Sequence, residues 1–309
     1  MDIYILIEKM ATLVIFMIVG YIIAKIGITD SLSNKYYSNL VINVLLVATI
    51  LNSVINVTPS LPAKEILKFL GFLFVMFIIL MLLGILSSHL PGIKSKDKAS
   101  ATIVVTFVNN AFVGFPVVES VFGTEAVFYA SLSNIPFNIF LYTFGVSRLV
   151  SNGKRIGKIR VKDIINAPLV TTLIAIIIFL LHVKIPEFLQ ATIHDFSAAT
   201  VPMSMIIIGT SLADIPIKHA FGDWRAYVLS FIRLIIAPII CWLLLKNFIS
   251  NSMLLGILVA LAACPTAMII TVLCVQYEKD ESLASKTIFL STLFSSITIP
   301  FVFRFLLHI

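Results

Sequence analysis

Hydrophobic residues in this chain are gathered into long runs, rather than spread at the period of a half-buried helix or strand. Ten runs reach about 20 residues, the length a helix needs to cross ~30 Å of hydrocarbon. They cover approximately 4–25, 37–55, 66–88, 99–121, 125–147, 165–183, 196–213, 226–246, 253–276 and 287–307. The linkers between them are short and leave no room for a separate soluble domain. The pattern predicts an all-α integral membrane protein with ten transmembrane helices. One run carries an anomaly. The centre of span four reads NNAFVGFP, Asn109 to Pro116, two amides, a glycine and a proline inside an otherwise apolar stretch.

Composition agrees with the pattern, since 60% hydrophobic against 12% charged residues lies outside the range of soluble globular chains. The start, MDIYILIEKM, has an acid first and then Glu8 and Lys9. A cleaved signal peptide would have a basic start, so span one is retained as a helix. Cys241, Cys264 and Cys274 all fall inside spans, which gives no disulfide framework. Basic residues concentrate in alternate linkers, most densely in Arg148, Lys154, Arg155, Lys158, Arg160 and Lys162. Cytoplasmic loops are the basic ones, so a multi-pass protein of the plasma membrane with both termini extracellular is expected. The net charge of +7 is then topological, and nucleic acid is a poor explanation for it.

The same basic linker, 151–163, divides the chain into 1–150 and 164–309, each with five spans. An odd number per half makes the two halves inverted repeats if they are repeats at all. Pro116 in span four and Pro265 in span nine stand about half a chain apart, and Pro136 and Pro300 recur in spans five and ten. A proline removes one helix hydrogen bond and clashes with the preceding turn, and Gly114 tolerates dihedrals that other residues resist. A broken span four is expected, with Pro116 starting a second half-helix. Span nine repeats the device at AACPTAMIIT, where Pro265 would start a half-helix with Thr266 in its first turn and Cys264 just before it. Ordinary kinks are the plain alternative for any single proline. Two broken helices would bring bare N–H groups and positive dipole ends together, which is an anion site.

Other residues are candidates for the same site. Asn109 and Asn110 can satisfy freed backbone groups, and Phe115 could cover a ligand. Asn134 and Asn138 flank Pro136 at i, i+4 spacing, which puts both amides on one helix face; they serve either a substrate pathway or helix adhesion. Arg233 is the only basic residue well inside a span, and it either ties span eight to a neighbour or contacts substrate. Glu119 is the one carboxylate clearly within a span and the candidate for proton coupling, while sodium coupling through unwound carbonyls with Asn109 and Asn110 is the other route. Spacings for in-membrane hydrolysis such as HExxH do not occur, and nothing calls for a cofactor or metal.

Several stretches carry a resemblance. IVGYIIAKIGI in span one, NNAFVGFPVVESVFGTEA around span four, NAPLV opening span six, VPMSMIIIGTSLAD in span seven, RLIIAP in span eight, and ALAACPTAMIITVLCVQY with LASKTIFLSTLFSSITIP at the end occur in a shared order and spacing. By them the chain resembles the auxin efflux carrier family, which includes plant auxin exporters and bacterial carboxylate permeases. The resemblance implies two inverted five-helix repeats whose broken helices four and nine cross at the substrate site. It also implies a homodimer, with helices 1, 2, 6 and 7 as scaffold and helices 3–5 and 8–10 as a mobile, elevator-like transport bundle. The implied substrate is a small carboxylate, in the bacterial branch a dicarboxylate such as malate. A sodium-coupled organic anion symporter and an auxin-like monocarboxylate exporter are the alternatives. Val47 in span two stands where the family usually has proline, which leaves open how that span bends.

Overall fold

A computed structural model describes residues 3–55, 61–149, 166–181, 183, 185–214, 221–277, 279 and 282–307. The basic linker 151–163 lies outside the described residues. Among those described, the chain is helical throughout, with no strand and one isolated bridge between extended segments. Among the described residues, five helices are long and apolar enough to cross a membrane: Leu32–Ile55, Ala63–Ser87, Glu187–Ala213, Trp224–Leu245 and Ser282–Leu307.

In chain order the helices are α1 (Ile3–Lys25), α2 (Ser31–Leu40 continuing to Leu46–Ile55), α3 (Ala63–Ser87), α4 (Lys98–Thr106), α5 (Asn110–Phe122), α6 (Thr124–Ser131) and α7 (Asn134–Phe140 continuing to Val146–Leu149). There follow α8 (Ala167–Leu181), α9 (Glu187–Ala213), α10 (Trp224–Leu245), α11 (Ser252–Ala263), α12 (Ile269–Gln276) and α13 (Ser282–Leu307). Helix α1 packs on α9, and α2 on α8, α9 and α6. Helix α3 packs on α4, and α10 on α11 and α13.

Three departures from the hydrophobic pattern have local causes. Span two carries no proline, and its irregularity is a π turn, Val41–Leu45, just before Val47. The run read as span seven starts late because Gln190, Thr192, His194 and Asp195 break the apolar run. They do not break the helix, which begins at Glu187 behind Pro186, with an acid in its first turn. Span five is divided at Leu132–Ser133 into α6 and α7. Pro136 has no N–H to donate, so it takes the third position of a new helix, where none is needed. That helix is started by Ile135 N bonding Leu132 O at 3.1 Å and Phe137 N bonding Ser133 O at 3.0 Å.

The ion pairs among the described residues lie at helix ends. At one end of the molecule Arg225 Nη1 reaches Asp97 Oδ2 at 2.6 Å and its Nη2 reaches Asp223 Oδ2 at 2.7 Å. Lys286 Nζ lies 3.7 Å from the same Asp223 oxygen. The cluster ties together the starts of α4, α10 and α13. Asp223 also caps α10, accepting from Arg225 N at 3.1 Å. Its hydrogen bonds from Arg225 hold the Asp223 carboxyl below the ordinary aspartate range. A depressed folded pKa contributes stability that is complete above the unfolded value, ~3.9, and is lost as pH falls through the folded one. Asp223→Asn is expected to lower the melting temperature at pH 7. The gap to the unsubstituted protein should narrow as the melts are repeated toward pH 3.

Candidate functional site

Span nine breaks where its proline predicts. The residue before a proline is pushed out of the helical region, and Cys264, at φ −62° and ψ 149°, is extended and ends α11. Pro265 does not start the next half-helix, however: it lies in the extended crossing segment, and α12 begins at Ile269. Span four breaks earlier than expected. Phe107 is extended at φ −99° and ψ 121°, and Asn109, at φ −82° and ψ 68°, is the N-cap of α5. Asn109 Oδ1 accepts from Phe112 N at 3.2 Å, the bond an N-cap amide makes.

Pro116 therefore does not open the half-helix; Asn110 does. Pro116 sits one turn further on, immediately after a π turn over Asn110–Gly114. The wider turn accommodates a ring that would clash with a regular helix. Gly114 is helical, at φ −62° and ψ −51°, so it is not required for an unusual dihedral. Its use is proximity, since an added Cβ would lie 3.0 Å from Leu261 Cδ2 and 3.3 Å from Cys264 Sγ.

The two interruptions cross. Val108 and Thr266 form an antiparallel bridge, with Asn109 N donating to Pro265 O at 2.8 Å and Ala267 N to Phe107 O at 2.9 Å. The Thr266 hydroxyl donates to Val104 O at 2.7 Å, satisfying one of the last carbonyls of α4. Thr266 N donates to Ser291 Oγ of α13 at 3.2 Å. Phe107, Val108 and Thr266 are all fully buried. The backbone groups that interruption frees thus bond one another, which is the condition for tolerating a break away from water.

A cavity of about 250 Å³ opens beside the crossing. The first residues of α5 and the approach to α12 form part of its wall, through Asn109, Asn110, Ala111, Ala267, Met268 and Ile269. Five asparagines line it: Asn109, Asn110, Asn134, Asn138 and Asn166. Among the described residues none that lines it is charged, and the remainder is largely apolar, including Ile42, Phe137, Leu141 and Tyr142. Asn110 Nδ2 donates to Ser133 Oγ at 3.0 Å, Asn134 Nδ2 to Thr172 Oγ1 at 3.2 Å, Asn138 Nδ2 to Asn134 O at 2.8 Å, and Asn166 Nδ2 to Asn138 Oδ1 at 2.6 Å. Asn109 Nδ2 is the exception. It is buried and has no acceptor among the described residues.

The structure brings Asn109, Asn110, Asn134 and Asn138 to one cavity. Phe115, Pro116, Cys264 and Pro265 lie in or beside the crossing but not on the cavity wall, and Cys264 Sγ donates to Ala260 O at 3.2 Å. Glu119 is half-buried further along α5, and Arg233 is fully buried and does not line the cavity. Asn166 is the residue that the sequence reading passed over. It caps α8 by accepting from Leu169 N at 3.0 Å while donating across to α7. Its signal was the position before Ala167-Pro168, an N-cap amide ahead of an early helix proline.

Comparison with known proteins is decisive at the level of family. The family described as "Membrane transport protein" matches residues 5–303. The chain belongs to this family, the auxin efflux carriers. Among similar family members, an uncharacterized transporter of Methanocaldococcus jannaschii is 28% identical over 300 residues, 92% of this chain and 94% of the relative. An uncharacterized transporter of Methanothermobacter thermautotrophicus is 24% identical over 301 residues, 95% and 96% respectively. This auxin efflux carrier family member is therefore a multi-pass membrane transporter, as its apolar helices also require.

Proposed function

We propose that the chain is a secondary carrier for small organic anions, with the amide-lined cavity at the crossing as its substrate site. The orphan Nδ2 of Asn109 carries this reading. A buried donor without an acceptor costs about 1–3 kcal/mol, and here it sits at a helix start, where free N–H groups and the dipole favour a negative guest. A carboxylate oxygen would satisfy it.

The cavity favours one carboxylate over two. None of its described lining residues is basic, and the other four asparagine nitrogens each already donate to a protein oxygen. A second carboxylate would be left with the second N–H of amides already tied to protein oxygens, between the largely apolar Phe137, Leu141 and Tyr142. A monocarboxylate with an apolar body fits these walls better than malate, the substrate that the family resemblance alone implies.

The wider architecture is part of the same reading: ten spans in two inverted five-helix repeats, placed in the plasma membrane with both termini outside. Helices α1, α2, α8 and α9 form the scaffold of a homodimer, and the rest move as an elevator-like bundle. The packing of α1 on α9, and of α2 on α8 and α9, supports the scaffold. The cavity is lined from both groups, by Ile42 and Asn166 on one side and by Asn109 and Asn138 on the other. Glu119 is the bundle's candidate for proton coupling.

Counterflow in proteoliposomes tests the function. Vesicles preloaded with an unlabelled monocarboxylate should accumulate the labelled compound transiently and saturably, and more strongly than vesicles loaded with malate. A channel gives no counterflow. Absence of counterflow with every organic anion would remove the carrier reading, and a preference for malate would restore the dicarboxylate.

A further inference from the structure

Arg233 is fully buried, the largest side chain to be so. It stands in a π turn of α10, Ile232–Ile236, that packs against α4, α11 and α13. None of its guanidinium nitrogens, Nε, Nη1 or Nη2, has a hydrogen-bond partner among the described residues. No carboxylate among the described residues forms an ion pair with it. A cation held in the interior without an anion is expensive, and its position shows what compensates it.

The turn that carries Arg233 packs on α11, the helix that Cys264 ends, and on α4. The end of α4, at Thr106, meets the same crossing. Of the four helix ends created by the two breaks, the starts of α5 and α12 border the cavity. The other two, the ends of α4 and α11, carry the negative poles and attract cations. In broken-helix carriers such ends and unwound carbonyls are where a coupling cation binds.

We infer that Arg233 is the resident cation of the crossing, a positioning residue that supplies from within the chain the positive charge a bound alkali-metal ion would otherwise bring. Anion binding in the cavity then requires no co-transported alkali-metal ion. The inference rests on the cavity being an anion site, and the test separates the two ideas by also reading cation effects in the absence of any anion substrate.

Melting of the purified protein is measured in choline, sodium, potassium and guanidinium chloride at one low, fixed ionic strength, for the unsubstituted protein and for Arg233→Ala and Arg233→Lys. The unsubstituted protein and Arg233→Lys should be indifferent to which cation is present. Arg233→Ala should melt lower in choline and recover in millimolar guanidinium or in sodium. In counterflow, Arg233→Ala should raise the KM for the anion on the order of tenfold in choline medium, with recovery on adding guanidinium. Should Arg233→Ala not survive purification, Arg233→Gln is read in the same way. Sodium dependence in the unsubstituted protein would overturn the inference, as would an alanine variant with unchanged KM or with no response to any cation. Failure of counterflow in every protein, with the melting pattern intact, would instead count against the anion cavity and leave the resident cation standing.

Discussion

Asn109→Ala is expected to leave a folded protein that has lost most of its anion counterflow. The side chain does two separable things. Its Oδ1 caps α5 through Phe112 N, and losing a cap costs about 1 kcal/mol of stability. Asn109 lines the cavity, and its Nδ2 has no acceptor among the described residues. A hydrogen bond to a charged group is worth about 1.5–3 kcal/mol, so its loss should raise the anion KM by roughly 10- to 100-fold. Asn109→Asp separates the two roles. An aspartate keeps the capping oxygen and suits a helix start, but at neutral pH it offers acceptors where the guest needs a donor. That variant should melt closer to the unsubstituted protein than the alanine variant does, and transport no better. Normal counterflow in Asn109→Asp would remove the amide from the substrate site.

How far this site could be read from the sequence depended on whether the decisive signal was local. Pro265 was sufficient on its own, because the steric rule for the residue before a proline acts on Cys264 whatever the tertiary surroundings. Pro116 was misleading because a helix can absorb a proline behind a π turn. The stronger signal in NNAFVGFP was Asn109, whose short amide makes it a good N-cap directly after the two strand-favouring residues Phe107 and Val108. The cavity itself was only half legible. Asn134 and Asn138 share a helix face and declare themselves by spacing, whereas Asn166 acquires its place through a bond to Asn138 on another helix. No pattern within NAPLV reveals such a partner. The depth of Arg233 was legible with two roles open, whereas the packing of its turn of α10 against α4, α11 and α13 is a tertiary fact that no local spacing shows. The membrane character was plain from the apolar runs, since bilayer thickness imposes a length that the run of consecutive apolar residues records directly.

Gly209→Val is expected to be the most damaging single substitution away from the cavity, with the loss falling on folding rather than on substrate recognition. Helices α1 and α9 approach backbone to backbone. A Cβ added at Gly209 would lie 1.9 Å from Met17 O, and one added at Gly20 would lie 2.1 Å from Ile206 O. These are main-chain carbonyls, which cannot rotate aside as a side chain would, so relief requires the two helices to separate. Small residues permit this approach in membrane helices, where dispersion and weak Cα–H···O contacts replace the hydrophobic drive available in water. Separation would also strain the bond from Lys25 Nζ to Ala213 O, 3.0 Å long at the end of the same interface. The cost should be ~3 kcal/mol or more, at the upper end for overpacking, read as a large fall in melting temperature or as loss of the monodisperse peak on size exclusion. Gly71→Ala is the control. It sits inside α3, nothing lies within 4 Å of its added Cβ, and by helix propensity it should hold or gain up to ~1 kcal/mol. If Gly209→Val melted like Gly71→Ala, the close pairing of α1 and α9 would not be what holds this pair together. The proposed scaffold would then lose the contact that most distinguishes it from the bundle it is meant to carry.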